Sequence, residues 1–208
     1  MRFPKRGKHH HCDHFMAERP SLKRSVLPLI LFLCLGCATR PATLPTRTWA
    51  QPCDSCVAGV ENFAKVSPAL WRGAQPSAEG FRNLEAAGAK TVVSLRDQRD
   101  DWPLLAGTKL KYLRIPEHAW DPDEAQLVLL LRIIEDPKNW PAFVHCAEGR
   151  DRTGYSVATY RLVVENWSVD DALHEMFDFR FNSIWFRNPV FLRKLDVAIM
   201  RRWVARAP

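Results

Sequence analysis

The chain has 208 residues, of which 47% are hydrophobic and 25% are charged. This size fits one globular domain with a tail, and such a domain buries a core without needing disulfide staples. The formal net charge of +7 suggests a nucleic-acid ligand, but residues 1–36 hold seven Lys and Arg against two acidic residues. From Cys37 onward, 23 basic and 21 acidic residues nearly balance. No bulk basic field is left to attract a polyanion, so we expect no nucleic-acid partner.

Residues 1–36 have the pattern of an export leader. Lys23-Arg24 precedes a largely apolar run over residues 26–35, and the small residues of Gly36-Cys37-Ala38 follow it. A basic flank, a short apolar stretch and small residues at a cleavage point are typical of a secretory signal. The apolar run is too short for an ordinary transmembrane helix.

The end of this leader, Cys34-Leu35-Gly36-Cys37, resembles a bacterial lipobox. In a lipobox a signal peptidase cuts before the last Cys, and the thiol of that Cys carries lipid. The sequence departs from the pattern at Cys34, where such boxes usually have Leu. We therefore expect an exported, periplasmic lipoprotein tethered to a membrane by acyl chains on Cys37. An uncleaved anchor and plain secretion are the alternatives.

Residues 37–62 are predicted to form a flexible tether. The stretch from Thr39 to Gln51 holds Pro, Thr, Ala and Arg without apolar periodicity. Cys53 and Cys56 then form a single Cys-x-x-Cys pair. Zinc needs four ligands and no second pair follows, so a local disulfide is favoured over a metal site in an exported protein. A redox role is the third interpretation.

The domain is predicted over residues 63–208, where strand patterns alternate with helix patterns. Capping residues and Gly mark the helix boundaries. The alternation predicts an α/β fold with a central, mostly parallel sheet and helices on both faces. The predicted strands are Ala69–Arg72, Thr91–Leu95, Leu110–Ile115 and Ala142–Val144. The predicted helices are a Ser77-capped one to Ala87, Asp123–Glu135, Thr153–Glu165, a Ser168-capped one to Phe177, and a last one that opens at Asn188-Pro189 with Asn188 as its cap.

The segment from His145 to Gly154 joins a predicted strand to a predicted helix and carries the strongest chemical signal. Backbone N–H groups and the dipole at a helix start favour an anion in this loop. Gly149 lets the backbone curl, and Arg152 offers a planar fork of donors that suits two phosphate oxygens. The same positive surroundings favour the thiolate form of Cys146. One loop thus binds a phosphate and supplies a nucleophile.

Two neighbours of the nucleophile have predicted supporting roles. The Thr153 hydroxyl is expected to hydrogen-bond the thiolate and ease its departure, and His145 is expected to orient the loop. A lone Cys at a strand end is usually an inert buried thiol. Here six positions of the pattern H-C-x-x-G-x-x-R-T-G are filled together. The predicted phosphate-binding residues are Ala147, Glu148, Gly149, Arg150, Asp151 and Arg152.

This pattern resembles the protein tyrosine phosphatase superfamily over about residues 66–200. Trp71-Arg72-Gly73-Ala74-Gln75-Pro76-Ser77 and Thr91-Val92-Val93-Ser94-Leu95-Arg96 resemble the atypical dual-specificity phosphatases of plants, fungi and bacteria. The resemblance implies Cys146 as nucleophile, Arg152 as phosphate binder and a phosphocysteine intermediate. It also implies a phosphatase fold that acts without metal or cofactor on phosphate monoesters of phosphorylated proteins.

Two other functions are kept as alternatives. Some relatives in the atypical dual-specificity group act on inositol polyphosphates or pyrophosphates, which makes an inositol phosphate an alternative substrate. A catalytically inactive, lipid-anchored module that only binds phosphorylated ligands is the alternative of another class. The filled nucleophile and Arg positions argue against that module.

The proton donor for the leaving oxygen has three candidates. The family places an Asp upstream of the nucleophile, on a loop that corresponds here to residues 118–123. Asp121 follows Trp120, but the order is Trp-Asp-Pro and not the family's Trp-Pro-Asp. Asp123 is the second candidate, and its alternative role is a simple helix cap. Asp151 is the third, and its alternative role is to orient a neighbouring backbone or Arg.

The substrate class depends on what surrounds the loop. A polyphosphorylated inositol needs several cations, whereas phosphotyrosine needs a deep pocket with aromatic walls. Exposed Arg residues are more often solvated surface, and aromatic clusters are more often core. The candidate cations are Arg72, Arg96, Arg99, Arg180 and Arg187, and the candidate aromatic residues are Phe177, Phe179, Phe181, Trp185 and Phe186.

Overall fold

The computed structural model describes residues 47–206. The predicted leader and the predicted lipidation of Cys37 lie outside the described residues. Within residues 47–206, no helix is both long enough and apolar enough to cross a membrane.

A five-stranded sheet in the order β1-β2-β5-β3-β4 forms the centre of the domain. The β1 strand is antiparallel to β2, and every other neighbouring pair is parallel. The predicted mostly parallel sheet is thus confirmed, and the two-residue β1 is an addition to it. The strands are β1 Ala64–Lys65, β2 Leu70–Gly73, β3 Thr91–Ser94, β4 Lys111–Arg114 and β5 Ala142–His145.

The register of the sheet determines where a site forms. His145 at the end of β5 pairs with Gly73 on one side and with Ser94 on the other. The carboxyl ends of three parallel strands therefore coincide at one edge. Ligands of open α/β sheets bind in the crevice outside such an edge.

Helices cover both faces of the sheet, as the sequence predicts. On one face, Phe81 of the first helix packs in a cluster with Trp71 and Phe143. On the other face, Leu70 and Val144 pack in a larger cluster with residues of the remaining helices. The helices are α1 Ala78–Ala86, α2 Glu124–Glu135, α3 Arg152–Val163, α4 Val169–Asp178, α5 Arg187–Lys194 and α6 Val197–Ala205.

Three predicted caps are present. The Ser77 hydroxyl accepts a hydrogen bond from the Gly80 N–H at 3.0 Å at the start of α1. Asp123 Oδ1 caps α2, and the Ser168 hydroxyl caps α4 by accepting from the Asp171 N–H at 3.1 Å. Each cap satisfies a backbone donor that the helix itself leaves unpaired.

The predicted capping role of Asn188 is wrong. Helix α5 begins at Arg187, so Asn188 lies inside its first turn, and its side chain is fully buried. Its Nδ2 donates to the carbonyl oxygen of Ala119 at 2.7 Å. The side chain therefore connects α5 to the loop before α2. A buried amide group must be hydrogen-bonded, and here the partner is this loop and not the helix end. A separate helix, α6, follows with Asp196 as its cap.

The predicted domain boundary at residue 63 lies too late in the chain. Val57 and Val60 are buried in the same cluster as the first helix. Cys53 and Phe63 exchange two backbone hydrogen bonds, of 2.9 and 3.1 Å. Cys53 also forms the expected disulfide with Cys56. Residues 53–62 therefore belong to the folded domain and not to a tether.

A buried ion pair fastens the start of the described chain to this domain. Arg161 on α3 donates to Glu175 on α4 at 2.7 Å, and both side chains are almost fully buried. The same guanidinium donates to the carbonyl oxygen of Thr48 at 3.2 Å, and Glu175 accepts from the Ala50 N–H at 3.0 Å. Loss of one partner from such a pair leaves a buried charge uncompensated, which typically costs about 3–5 kcal/mol.

Candidate active site

The predicted strand, loop and helix around Cys146 are present. Strand β5 ends at His145, Cys146 follows, and α3 begins at Arg152. Within residues 47–206, Cys146 is the single free cysteine, and it is 3% exposed. Its thiol therefore lies at the base of a loop whose far end is a helix N-terminus, where anions are favoured.

Gly149 lets this loop lie directly on the backbone at the end of β2. Its φ of 66° is in the left-handed region that favours glycine. A Cβ on Gly149 would lie 2.6 Å from the Ala74 nitrogen and closer still to the Gly73 carbonyl group. Gln75 N–H donates to the Ala147 carbonyl oxygen at 3.0 Å, which fastens the loop to the same segment. Only glycine fits at this position.

Arg72 supports the loop from beneath. The side chain is fully buried, its Nη2 donates to the Gly149 carbonyl oxygen at 2.8 Å, and its guanidinium lies 3.7 Å from the centre of the Phe179 ring. Burial lowers the pKa of Arg72 to about 9, against the opposing charges of Glu175 and Cys146. Arg72 therefore holds the loop. Its candidate role as a cation around a polyphosphate would require it to line an open pocket, and it does not.

Asn62 holds the loop from the side. It is 2% exposed, and its φ of 51° is in the left-handed region, where Asn is one of the favoured residues. Its Nδ2 lies 3.1 Å from the Gly149 carbonyl oxygen, and 3.3 Å from those of Glu148 and Phe179. The sequence reasoning missed this residue because it lies in the segment assigned to the tether.

A further contact ties the disulfide segment to the same region. Asp54, between the two disulfide cysteines, accepts from the Asn62 N–H at 2.9 Å and from Arg180 at 2.7 Å. The hydrogen bond from Arg180 is the main reason that the pKa of Asp54 is below its ordinary value. The pair is exposed, so it contributes more to the position of these segments than to stability.

His145 is oriented from behind by a buried carboxylate. Its Nε2 lies 3.2 Å from Asp101 Oδ2, and both side chains are fully buried. Its Nδ1 lies 3.2 Å from the Cys146 carbonyl oxygen, so both ring nitrogens lie near oxygens. Burial acts to raise the pKa of Asp101, but His145, Ser94 and Tyr112 together lower it. The predicted orienting role of His145 fits this geometry.

Arg152 stands at the first position of α3, where the pattern places the phosphate binder. Its Nη1 lies 3.3 Å from Asp97 Oδ1. Next to it, the Thr153 hydroxyl is buried without a hydrogen-bond partner among the described residues. The hydroxyl of Thr153 therefore keeps its hydrogen-bonding capacity free, which its predicted role beside Cys146 requires.

The three candidate proton donors have different surroundings. Asp121 is exposed, lies in the loop between β4 and α2, and accepts no hydrogen bond from residues 47–206. Asp123 Oδ1 accepts from the Ala125 N–H at 2.7 Å, so this carboxylate is engaged as a helix cap. Asp151 Oδ1 accepts from the Asn182 N–H at 2.9 Å, which joins the loop to the segment before α5.

Two of the five candidate cations, Arg96 and Arg180, contact carboxylates, and so does Arg150 of the loop. Arg180 binds Asp54, and Arg150 of the loop binds Glu148 at 2.7 Å. Arg96 lies 2.5 Å from Gln75 Oε1 and 3.5 Å from Asp101. Arg99 is exposed, and Arg187 lines a cavity of about 350 Å³ together with Trp120 and Asp121.

The candidate aromatic residues divide between core and surface. Phe179 and Phe181 are buried, whereas Phe177 and Phe186 are exposed. The ring of Trp120, which is 52% exposed, stacks on that of His118 with centroids 5.0 Å apart, and Trp185 lies 6.2 Å beyond. The aromatic surface near Asp121 is therefore built around Trp120, which was not among the predicted wall residues.

The cavity beside the loop has a volume of about 600 Å³. Its walls include the loop residues Ala147, Glu148 and Arg150, with Asn62 and Arg180 opposite. Among residues 47–206, no group of His, Cys, Asp and Glu side chains is arranged to hold a metal ion.

Comparison with known proteins identifies the family. Residues 54–190 match the family model described as DSP-PTPase phosphatase fused to NAD+ kinase. The chain belongs to this phosphatase family. The match begins at Asp54, which agrees with the structure in placing the disulfide segment inside the domain.

Curated relatives include both types of phosphatase that the sequence suggests. The dual specificity protein phosphatase TpbA of Pseudomonas aeruginosa is 36% identical over 149 residues, which cover 70% of this chain and 66% of TpbA. TpbA of a second strain is 34% identical, over 67% of this chain and 62% of the relative. The inositol diphosphatase DSP5 of Arabidopsis thaliana is 28% identical over 55% of this chain and 59% of DSP5. The chain thus spans less than two thirds of the length of these relatives.

Solved structures show the same fold. The crystal structure of P. aeruginosa TpbA has a TM-score of 0.67 at 32% identity and covers 77% of this chain and 99% of that one. The structure of a TpbA variant in complex with pTyr has a TM-score of 0.66 at 31% identity, over 78% of this chain and 99% of that one. The catalytic domain of Siw14 from Saccharomyces cerevisiae, at 24% identity and a TM-score of 0.63, matches in fold over 70% of this chain and 92% of that domain.

The close approach at Gly149 predicts a large effect of its substitution. The Gly149→Ala variant must strain a left-handed backbone and also push the loop away from Gly73, and such a displacement of reacting groups costs about 100-fold in kcat/KM. Gly107→Ala is the matched control, because its φ is 82° but nothing lies within 4 Å of the added methyl. Hydrolysis of p-nitrophenyl phosphate and thermal melts measure both effects. An equal loss of kcat/KM in the two variants would show that backbone strain alone is responsible.

Proposed function

We propose that this protein hydrolyses phosphate monoesters through a phosphocysteine intermediate, as a phosphatase of the protein tyrosine and dual-specificity type. The observation that carries the proposal is the buried thiol of Cys146 between β5 and the N-terminus of α3, with Arg152 at the first position of that helix. A catalytically inactive relative is expected to lack the cysteine or the arginine, and this chain has both.

The first step transfers the phosphoryl group to sulfur. Backbone N–H groups of the loop and the guanidinium of Arg152 hold the phosphate oxygens, so Arg152 exchanges Asp97 for the substrate. Cys146 Sγ forms a bond to phosphorus while the bond from phosphorus to the leaving oxygen breaks. A carboxylic acid donates its proton to that oxygen.

The second step regenerates the enzyme. A water molecule attacks phosphorus, the sulfur–phosphorus bond breaks, and inorganic phosphate forms. The carboxylate left from the first step takes the proton of the water, and the Thr153 hydroxyl stabilises the departing thiolate of Cys146.

We propose phosphotyrosine in proteins as the substrate. The pairing of Arg150 and Arg180 with carboxylates leaves little free positive charge beside the loop, and the aromatic surface at Trp120 suits a flat ring. The similar TpbA variant was crystallised in complex with pTyr. An inositol phosphate or pyrophosphate is the second candidate, since Arg150 and Arg180 both line the 600 Å³ cavity and several relatives are inositol diphosphatases.

A substrate panel tests this proposal. We expect the reduced protein to hydrolyse p-nitrophenyl phosphate and a phosphotyrosine peptide, and Cys146→Ser to hydrolyse neither, because a hydroxyl is not ionised in this loop. The kcat/KM for the peptide should exceed that for inositol hexakisphosphate. Faster turnover of the inositol phosphate would assign the second candidate, and no turnover by folded, reduced protein would favour a module that only binds phosphorylated ligands.

We propose Asp121 as the proton donor, because its carboxylate is exposed and unengaged while Asp123 and Asp151 accept backbone hydrogen bonds. Asp121→Asn should lower kcat by about 10²–10⁴-fold and remove the basic limb of its pH profile. Asp151→Asn should retain that limb. Asp123→Asn serves as the control for loss of a cap, with an effect on stability of about 1 kcal/mol or less. Loss of the basic limb in Asp151→Asn alone would assign the role to the loop carboxylate.

We further propose that the protein is exported and carries lipid on Cys37. The support is the basic flank, the short apolar run and the lipobox-like Cys34-Leu35-Gly36-Cys37. In a bacterial host, labelled palmitate should enter the full chain and the chain should sediment with membranes. Cys37→Ser should lose both, while Cys12→Ser should keep both. Labelling that persists in Cys37→Ser would contradict this proposal.

A further inference from the structure

A buried carboxyl lies directly beneath the loop that carries Asp121. Glu117 is fully buried and immediately precedes this loop, which we define as residues 118–122 and call the acid loop. The hydroxyl of Tyr155 lies 2.8 Å from Glu117 Oε2 and 3.0 Å from the carbonyl oxygen of His118. Glu117 Oε1 has no hydrogen-bond partner among the described residues. Neither Glu117 nor Tyr155 has a part in the mechanism above.

Tyr155 connects this carboxyl to the catalytic loop. It lies on α3, three residues after Arg152 and therefore on the same face of the helix. The acid loop is held at a second point by Asn188, whose Nδ2 donates to the Ala119 carbonyl oxygen. The position of Asp121 relative to Arg152 thus depends on Asn188 and on Tyr155, whose hydrogen-bond partner Glu117 can ionise.

Burial, charges and hydrogen bonds from the surrounding elements set the pKa values of Glu117 and Tyr155. Burial is the main reason that the pKa of Glu117 is raised to about 7, and the charge of Asp123 at the start of α2 adds to it. The hydrogen bond from Tyr155, the backbone N–H of Asp123 and the charge of Arg152 on α3 act in the opposite direction. Burial and the charge of Glu117 raise the pKa of Tyr155, and Cys146 adds to that. Tyr155 therefore stays neutral wherever Glu117 titrates.

The single proton of the Tyr155 hydroxyl has two acceptors within reach. When Glu117 is ionised, the charged carboxylate is the stronger acceptor and takes that hydrogen bond. When Glu117 is protonated, its own O–H can donate to the Tyr155 oxygen, and the Tyr155 proton is then left for the His118 carbonyl oxygen. Protonation of Glu117 thus transfers a hydrogen bond to the acid loop.

We propose that Glu117 and Tyr155 are positioning residues that fasten the acid loop to α3 while Glu117 is protonated and release it when Glu117 ionises. This inference rests on the proposed role of Asp121 as proton donor. The device weakens proton delivery to the leaving oxygen as the pH rises, while attack by Cys146 is unaffected. It should therefore act on substrates with poor leaving groups, such as phenyl phosphate, and hardly on p-nitrophenyl phosphate, whose leaving group departs without a proton.

The pH dependence follows from the raised pKa of Glu117. Below about pH 7 the carboxyl is protonated and the loop is fastened, so kcat for phenyl phosphate is high. Above about pH 7 the carboxyl is ionised and the loop is released, so kcat for phenyl phosphate falls. This fall is separate from any effect of ionising Asp121 itself. Glu117→Gln keeps a neutral side chain of the same shape whose amide donates to Tyr155 at every pH. It should match the wild type at pH 6 and exceed it at pH 8.

The experiment compares four full-length proteins on both substrates across this pH range. Tyr155→Phe should lower kcat for phenyl phosphate about tenfold and kcat for p-nitrophenyl phosphate much less. Its pH profile of kcat should lack the fall near pH 7 that is assigned to Glu117. Tyr160→Phe is the matched control, because Tyr160 lies on the same helix but its hydroxyl contacts Ser67 at 3.0 Å, away from the acid loop. Thermal melts at each pH establish that every variant is folded.

A second readout does not depend on activity. Trp120 is an exposed residue of the acid loop, so its fluorescence, taken as the difference from Trp120→Phe, should titrate near pH 7 in the wild type and not in Glu117→Gln. Coinciding pH profiles and titrations in wild type and Glu117→Gln would overturn the inference, as would equal losses on both substrates in Tyr155→Phe. A wild type that titrates but hydrolyses neither substrate would instead overturn the proposed function.

Discussion

The site depends on how the carbonyl oxygen of Gly149 is held. It accepts hydrogen bonds from Arg72 and Asn62, and the glycine itself lies against the backbone of Gly73. These contacts fix the curl of the loop that follows Cys146. A loop that binds an anion with backbone donors needs such support, because donors that must reorganise lose much of their electrostatic advantage.

The same support places positive charge near Cys146. Arg72 is fully buried, and a desolvated cation is costly unless something compensates it. The compensation is shared among the Gly149 carbonyl, the face of Phe179 and the negative charges of Glu175 and Cys146. The negative charges of Glu175 and Cys146 therefore favour the charged form of the buried Arg72, against the effect of burial. The guanidinium that holds the loop thus also interacts electrostatically with the sulfur that the loop carries.

Local patterns predicted four of the five strands, most helices and the loop around Cys146, because a strand, a Gly curl and a helix start are determined by neighbouring residues. The partners of that loop were not predictable in this way. Asn62 and Asp101 reach it from distant parts of the chain, and no spacing rule connects them to it. The charge count also did not show that Arg150 and Arg180 are neutralised by carboxylates, since pairing is a property of the folded surface.

The segment that closes the loop from the side has a consequence for the order of folding. Asn62 is separated from Gly149 by 87 positions and from Phe179 by 117, and Ala50 is separated from Glu175 by 125. Contacts of such long range form late, because their loop-closure entropy is opposed only after other structure is in place. The support of the loop around Cys146 is thus completed late in folding. Until the N-terminal part of the described chain packs against the helices, this loop lacks the hydrogen bonds that Asn62 donates.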